Sequence, residues 1–235
     1  MKGNPLDRKI QLLTLALVVP LLLSLTGCGL FSPFLTKEVE KGPERLMQEG
    51  LEAFEKGFYD EAAEAFQKVK DRYPYSPLVV EAELKIADAL FLKKSYEEAY
   101  DAYVEFEKLH PKHSSLPYVL YQKAMCRFKQ ISTVDRDPSF ARLAKDDFLN
   151  LVKRFPSSFY ARKAEAQLRK CFSHLAKYEL YVGDFYFKQG KIRAALGRYL
   201  YLLKHYPDMG QYHKALRRLA ICKAKLMEEE KKDQD

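Results

Sequence analysis

Apolar side chains recur every three or four positions along most of the chain from residue 44 to residue 230, with polar side chains between them. This spacing places the apolar residues on one face of a helix, and the strict alternation typical of a strand is almost absent. The predicted helices span residues 44–56, 58–73, 76–93, 95–109, 115–131, 137–155, 157–189, 191–206 and 209–230. The sequence therefore predicts an all-α domain over residues 44–230, followed by a short charged tail over residues 231–235.

Four prolines, at positions 74, 111, 156 and 207, divide the helical region into blocks that repeat one pattern. An aromatic residue stands eight positions before each proline, and an alanine stands twelve positions before it. A glycine or alanine stands twenty-four positions before three of the prolines, whereas in the third block an insertion displaces the small residue, Ala124. These are the offsets of the tetratricopeptide repeat, a helix–turn–helix unit of about 34 residues.

Each recurring residue of this repeat has a physical role. The small residues let the two helices of a unit approach closely, and the aromatic residue fills the gap to the neighbouring unit. Proline ends the second helix because it has no N–H group and clashes with the preceding turn. The repeat predicts a solenoid of four to five helix pairs, in which the last helix, 209–230, covers the apolar end of the stack.

The N-terminal residues have the layout of an export signal. A basic start, with Lys2, Arg8 and Lys9, precedes an apolar stretch over residues 12–25. That stretch is shorter than the roughly 20 residues that a membrane-spanning helix needs. We therefore expect a signal peptide over residues 1–27.

The cysteine that follows predicts a lipid anchor. The segment LTGC at residues 25–28 resembles the bacterial lipobox, whose cysteine receives a diacylglycerol before cleavage on its N-terminal side. The resemblance implies lipidation of Cys28, and Gly29 next to it favours export to the outer membrane. The Pro-, Gly- and charge-rich residues 28–43 then form a tether. An uncleaved anchor or an ordinary secretory signal is the alternative.

Composition and motifs argue against several classes of function. The net charge of +8 is spread along the chain, and no recognition motif accompanies it, so nucleic-acid binding is not expected. His110 and His113 alone would make a poor zinc site. No spacing typical of a catalytic or phosphate-binding motif is found, so we expect no enzyme activity, no metal and no cofactor other than the covalent lipid.

Three further cysteines, Cys126, Cys171 and Cys222, lie inside helical patterns and lack CxxC spacing. Free cysteine in such a position behaves as a small apolar residue. An oxidising periplasm would also permit one disulfide among the three. Both alternatives stay open at the level of the sequence.

The first helices of the first two repeats predict a binding groove. In such a solenoid these helices line the concave surface. The residues at the groove-facing positions are more apolar than solubility requires, and exposed apolar patches usually mark binding surfaces. The predicted groove residues are Met47, Leu51, Phe54, Leu84 and Phe91. Their packing against the next helix or the tether is the alternative; a real groove would suit an extended peptide with aromatic side chains.

Several segments resemble the BamD family, the lipoproteins of the outer-membrane β-barrel assembly machine. The segments are YPYSP at 73–77, HPKHSSLPYVLYQKAM at 110–125, VDRDPSFAR at 134–142, LVKRFPSSFYARKA at 151–164 and LAKYELYVGDFYFKQGKIRAALGRYLYLLKHYPD at 175–208. The resemblance covers most of residues 44–215. RDP at 136–138 and AKYE at 176–179 are the most specific pieces, because the general repeat does not require them.

The resemblance implies a non-enzymatic scaffold, lipid-anchored on the periplasmic face of the outer membrane. Its C-terminal repeats would contact the POTRA domains of a BamA-type barrel protein, alongside other assembly lipoproteins. Its N-terminal repeats would engage the C-terminal signals of unfolded barrel substrates. Arg198 matches the position that pairs with an acidic residue of BamA in the family, and Arg136 lies in an inserted loop near partners. A repeat lipoprotein serving pilus-secretin assembly (a pilotin) or cell-wall coordination is the alternative function.

Overall fold

The computed structural model describes residues 41–207 and 209–232, and the chain divides into two units, Met1–Lys41 and Gly42–Asp235. Cys28, the predicted signal peptide and nearly all of the predicted tether lie outside the described residues. Nine helices and no strand are found within those that are described. The helices are α1 (Pro43–Glu55), α2 (Tyr59–Arg72), α3 (Val79–Leu92), α4 (Tyr96–Leu109), α5 (Leu116–Phe128), α6 (Ser139–Arg154), α7 (Phe159–Lys188), α8 (Ile192–His205) and α9 (Tyr212–Lys232).

The predicted all-α fold is confirmed, and each predicted helix corresponds to one of these nine. The starts of α3 and α9 differ most, because each begins three residues later than predicted. For α3, Ser76 Oγ accepts a hydrogen bond from the Leu78 N–H at 3.2 Å, and the Val79 N–H bonds back to the Ser76 carbonyl. Residues 76–78 therefore form a turn ahead of α3.

Each helix packs on its neighbours in the chain, and α7 also contacts α5. The recurring aromatic and alanine residues form the core of this stack, as the repeat predicts. All eight side chains are 0% exposed: Phe66, Tyr103, Phe148, Tyr199, Ala62, Ala99, Ala144 and Ala195. The fold is the tetratricopeptide-repeat solenoid that the sequence predicts.

The two recurring glycines lie directly against the recurring aromatic ring of the second helix of their pair. A Cβ atom on Gly50 would stand 2.5 Å from the Phe66 ring, and one on Gly183 would stand 2.6 Å from the Tyr199 ring. Real Cβ contacts are longer, so the small residue at this position is a packing requirement. This explains why the repeat keeps glycine or alanine there.

Helix α7 is a single helix of 30 residues that serves two parts of the stack. Its first half buries Ala164, Leu168 and Cys171 in a cluster with residues of α5 and α6. Its second half buries Leu175, Ala176 and Leu180 in a cluster with α8 and α9. The first half thus stacks on the third helix pair, and the second half is the first helix of the next pair.

The predicted role of the last helix agrees with its contacts. Ala215, Leu219 and Cys222 of α9 join the same cluster as Tyr199 and Leu202 of α8. Among the described residues, no helix combines the length and the apolar composition needed to cross a membrane.

The three cysteines of the domain, Cys126, Cys171 and Cys222, are free and buried. They lie in three different core clusters, so no disulfide joins them and the disulfide alternative is wrong. Burial raises the pKa of the Cys126 and Cys171 thiols to about 12. Both thiols are therefore neutral, apolar parts of the core.

Candidate functional site

The predicted groove residues lie on α1 and α3, but they are not equally accessible. Met47 is only 5% exposed and packs in the core that α1 shares with α2 and α3. Leu51 and Phe54 are half-buried against that same core. Leu84 and Phe91 are half-buried against the next core cluster, which α3 shares with α4 and α5. Leu51, Phe54, Leu84 and Phe91 therefore keep part of their surface accessible, and we call these four residues the apolar row. Met47 is buried below them.

The two phenylalanines of this row are held in the same way. Phe54 meets Tyr59 of α2 edge to face with ring centres 5.7 Å apart, and Phe91 meets Tyr96 of α4 at 5.5 Å. The Lys85 ammonium of α3 lies 5.2 Å from the centre of the Phe54 ring. Both rings thus rest on a neighbouring aromatic residue, an arrangement that fixes their orientation. Part of each ring packs on the next helix, which is what the alternative to a binding groove predicts.

Asp88 lies on α3 between Leu84 and Phe91 and faces two tyrosines. The hydroxyls of Tyr103 on α4 and Tyr118 on α5 donate to Asp88 Oδ1 at 2.7 Å and 2.6 Å. Burial raises the pKa of the Asp88 carboxyl, although the two hydroxyl donors and Lys85 act to lower it. This contact joins the three successive helices α3, α4 and α5 next to the apolar row.

The same contact recurs in the last full repeat. Tyr199 donates to Asp184 Oδ1 at 2.8 Å, and Lys214 and Arg218 of α9 pair with the Asp184 carboxylate at 3.1 Å and 3.2 Å. The repeat template alone does not predict these contacts, although the sequence carries a signal for them. The two aspartates stand at one repeat position, and each accompanies a tyrosine; Leu51 accompanies Phe66 at the matching positions of the first repeat.

Arg198, the predicted partner-binding residue on α8, forms an ion pair within the chain. Its Nη1 lies 3.0 Å from Oε2 of Glu179, the last residue of the AKYE segment. The Glu179 side chain is 7% exposed, whereas the Arg198 side chain is 41% exposed. Glu179 therefore anchors one edge of the guanidinium, and the rest of the group faces outward.

Arg136 lies in the loop that connects α5 to α6, and its side chain is exposed. Its N–H donates to the Thr133 carbonyl at 3.1 Å, which closes a turn. Asp137 Oδ1 accepts from the Ser139 N–H at 3.2 Å and so orders the start of α6. Pro138 next to it is buried. The RDP segment thus fixes this loop locally, and the structure does not bring Arg136 to the apolar row of α1 and α3.

The paired histidines serve the packing between helices. His110 Nε2 lies 2.6 Å from Oε2 of Glu83 on α3, and the His113 ring contacts Phe106. Within the described residues, no group of three or more His, Cys, Asp or Glu side chains is placed to hold a metal ion.

The stacked helix pairs, with an apolar row half-exposed on the first helices of two neighbouring pairs, define a tetratricopeptide-repeat protein with a candidate peptide-binding surface. Over residues 39–235 the chain matches the family described as "YfiO: Outer membrane lipoprotein". The chain belongs to this family, and the curated relatives described next carry the name outer membrane protein assembly factor BamD.

Three relatives illustrate the similarity. The Rickettsia prowazekii BamD is 34% identical over 174 residues, which cover 74% of this chain and 69% of that protein. The Caulobacter vibrioides BamD is 30% identical over 197 residues, 83% of this chain and 65% of that protein. The Vibrio cholerae BamD is 29% identical over 202 residues, 82% of this chain and 83% of that protein. The chain is thus related to assembly factors of the outer membrane.

The comparison with solved structures gives weak similarities at low identity. The TPR2AB domain of yeast Sti1, in a complex described as pHSP90, gives a TM-score of 0.45 at 16% identity and covers 79% of this chain and 71% of that one. A thermophilic TPR protein of Thermus thermophilus gives 0.41 at 17% identity, covering 74% and 99%.

Proposed function

We propose that this protein is a lipid-anchored scaffold on the periplasmic face of the outer membrane that assists the assembly of β-barrel membrane proteins. The family description and the names of its relatives support a role in outer-membrane assembly. The lipobox-like LTGC segment supports an anchor on Cys28. A protein that carries several acyl chains is held stably on a membrane, whereas a single acyl chain gives only marginal binding.

The apolar row of Leu51, Phe54, Leu84 and Phe91 is the proposed site for a barrel substrate. Its half-buried side chains, with two rings held edge to face, are the observation that carries the proposal. An extended strand with an aromatic end would lay its alternate side chains on this row. Modest affinity suits a scaffold that hands the strand on to the barrel protein.

Arg198 is the proposed contact for a POTRA domain of a BamA-type protein. A guanidinium has five N–H donors in a rigid fork, and Glu179 uses one edge of it. The remaining donors suit an acidic side chain of the partner, and the Glu179 pair holds the fork in place before binding. We extend the proposal to Arg136, whose exposed side chain on an ordered loop suits a partner or an accessory lipoprotein.

A peptide made of the last ten residues of an outer-membrane β-barrel protein, with phenylalanine as its C-terminal residue, tests the groove. We expect the Phe54→Ser/Phe91→Ser variant to bind this peptide roughly tenfold or more weakly than the wild type, because two buried aromatic contacts are lost. Fluorescence anisotropy with a labelled peptide measures the affinity. Circular dichroism at the assay temperature checks that the variant keeps its helical content.

The control variant is Leu109→Ser/Leu200→Ser, which removes two exposed apolar side chains away from the row. It should bind as the wild type does, and the wild type should prefer the phenylalanine peptide to one that ends in serine. Equal affinity of the wild type and Phe54→Ser/Phe91→Ser, both folded, would rule out this groove as the substrate site.

A further inference from the structure

An ammonium group stands among the side chains of the apolar row. Lys85 follows Leu84 on α3, and its side chain is half-buried. Its Nζ lies 5.2 Å from the centre of the Phe54 ring on α1. Within residues 41–207 and 209–232, no carboxylate forms an ion pair with this ammonium. The row therefore carries a positive charge beside one of its two aromatic rings.

Two carboxylates lie about one helical turn from Lys85 on α3, and neither is bonded to its ammonium. Glu81, four residues before it, is exposed to solvent. Asp88, three residues after it, turns Oδ1 towards the hydroxyls of Tyr103 and Tyr118, which donate to it at 2.7 Å and 2.6 Å. An ammonium has three N–H donors and no acceptor, so the donors of Lys85 remain available to a further anion.

The repeat does not require a basic residue at this position. Lys85 stands twenty-six residues before the proline of its repeat. The same position holds Gln48 in the first repeat and Tyr181 in the last full repeat, so a helix pair folds with a neutral side chain there. The charge of Lys85 is thus a property of the second repeat and not of the solenoid, which favours a role in binding.

The end of a polypeptide that finishes in an aromatic residue combines a ring with a negative charge. In a C-terminal phenylalanine, only the Cα and Cβ atoms separate the α-carboxylate from the ring. A terminal ring that packs on Phe54 therefore brings its carboxylate to the side of the row where the Lys85 ammonium lies. A free phosphate has no ring, and an acidic side chain within a strand does not join ring and charge in one residue.

We propose that Lys85 determines specificity by pairing with the free α-carboxylate of the substrate's C-terminal aromatic residue, an inference that rests on the proposed function of the row. The terminal ring packs on Phe54, and side chains further up the strand lie on Leu84 and Phe91. An ion pair at a half-buried position is stronger than one in open solvent, because the local dielectric is lower. The row thereby distinguishes the end of a chain from an internal strand of the same sequence.

The test uses the full-length protein in detergent and two peptides of identical sequence that end in phenylalanine. One peptide has a free C-terminal carboxylate, and the other has a C-terminal amide. We expect the wild type to bind the free acid roughly five- to tenfold more tightly than the amide, because only the acid pairs with Lys85. The difference should narrow as salt is raised, and fluorescence anisotropy measures both affinities.

The decisive variant is Lys85→Gln, which introduces the residue type that the first repeat has at this position. Its affinity for the free acid should fall to that for the amide, whereas its affinity for the amide should stay close to the wild-type value. Lys85→Arg keeps the positive charge and should keep the preference for the acid. The matched control, Lys112→Gln, removes an exposed lysine after α4 and should leave both affinities unchanged. Circular dichroism checks that each variant is folded.

Three outcomes would overturn the role of Lys85 and leave the row as the substrate site, provided that Phe54→Ser/Phe91→Ser binds both peptides weakly. The first is equal affinity of the wild type for the acid and the amide. The second is a preference for the acid that persists in Lys85→Gln. The third is an equal loss for both peptides in Lys85→Gln, which would show that Lys85 only supports the Phe54 ring. If Phe54→Ser/Phe91→Ser binds both peptides as the wild type does, the proposed substrate site fails, and this inference fails with it.

Discussion

At the scale of single residues, the turn between the two helices of a pair imposes one unusual backbone conformation. Gly57, Lys94 and Gly190 all stand seventeen residues before a repeat proline, and their φ angles are +81°, +72° and +73°. This left-handed region suits glycine, whereas a side chain there costs about 1–2 kcal/mol. Lys94 is therefore the strained member of the three.

Replacement of Lys94 by glycine should relieve this strain. We expect Lys94→Gly to raise the free energy of unfolding by about 0.5–1 kcal/mol, since the greater backbone entropy of glycine in the unfolded chain offsets part of the gain. Urea denaturation of the two proteins measures the difference. Lys112→Gly, in an exposed turn, is the control and should bring no gain; a Lys94→Gly variant less stable than the wild type would contradict the argument.

Met47 shows what the spacing of apolar residues predicts about burial and what it does not. It holds the same repeat position as Leu84, and the pattern predicts the same groove-facing role for both. Met47 is nevertheless covered by its neighbours in the first core cluster, whereas Leu84 keeps part of its surface. Periodicity indicates the face of a helix on which a residue lies, but the packing of the adjacent helices decides how much of that face stays open.

At the scale of helices, the close approach of α7 and α8 depends on Gly183. We expect Gly183→Ala to lower the free energy of unfolding by about 1–3 kcal/mol, because the added methyl group would overlap the fully buried Tyr199 ring. Gly197 is the matched control, since it lies inside α8 with open space where its Cβ would be.

The control should change stability in the opposite direction. Gly197→Ala should raise the free energy of unfolding by up to about 1 kcal/mol, because alanine favours the helix more than glycine does. Thermal and urea unfolding of both variants against the wild type measures the pair. Equal effects of the two substitutions would show that helix propensity, and not helix contact, governs both sites.

Helix α7 also shows that the helical pattern of the sequence does not determine how a long helix is divided between two repeats. The sequence predicts one long helix over 157–189, and the observed helix is Phe159–Lys188. Its length alone does not say which half belongs to which repeat. The division follows from packing, because Ala164 and Leu168 face α5 and α6 whereas Leu175 and Leu180 face α8 and α9.

At the scale of the described domain, an ion network ties neighbouring helix pairs together. Glu107 of α4 accepts from the Lys123 ammonium of α5 at 2.6 Å and also pairs with Arg154 of α6. Burial acts to raise the pKa of Glu107, but the hydrogen bonds and charges of Lys123 and Arg154 outweigh it and lower the pKa below its ordinary value of 4.5. The network therefore stabilises the domain when Glu107 is ionised.

The sign of the pH dependence follows from this shift. A carboxyl whose pKa is lowered in the folded state contributes stability above its unfolded pKa and loses it as the pH falls through the folded value. We expect Glu107→Gln to lower the free energy of unfolding by about 2 kcal/mol at pH 7, with the difference from the wild type shrinking as the pH falls below 4.5 and through the lowered pKa of Glu107.

Urea unfolding at pH 7, 5 and 3.5 measures this difference. Glu64→Gln is the control, because Glu64 pairs with Lys68 on the exposed face of α2 and should affect stability little at any pH. A difference between the wild type and Glu107→Gln that stays constant with pH would show that charge on Glu107 is not its cause.

The sequence by itself determined the helices, the repeat and the family. Helical periodicity, recurring small and aromatic residues and the proline at the end of each pair are local or evenly spaced features, so they can be read without coordinates. The RDP and AKYE segments pointed to the family that the comparison confirms.

Only the tertiary structure decided which side chains remain accessible and which charges are neutralised. Arg198 has a buried partner in Glu179, and Asp88 faces Tyr103 and Tyr118, because residues far apart in the chain meet across helices. Such contacts depend on the distances between packed helices, and a one-dimensional pattern does not contain those distances.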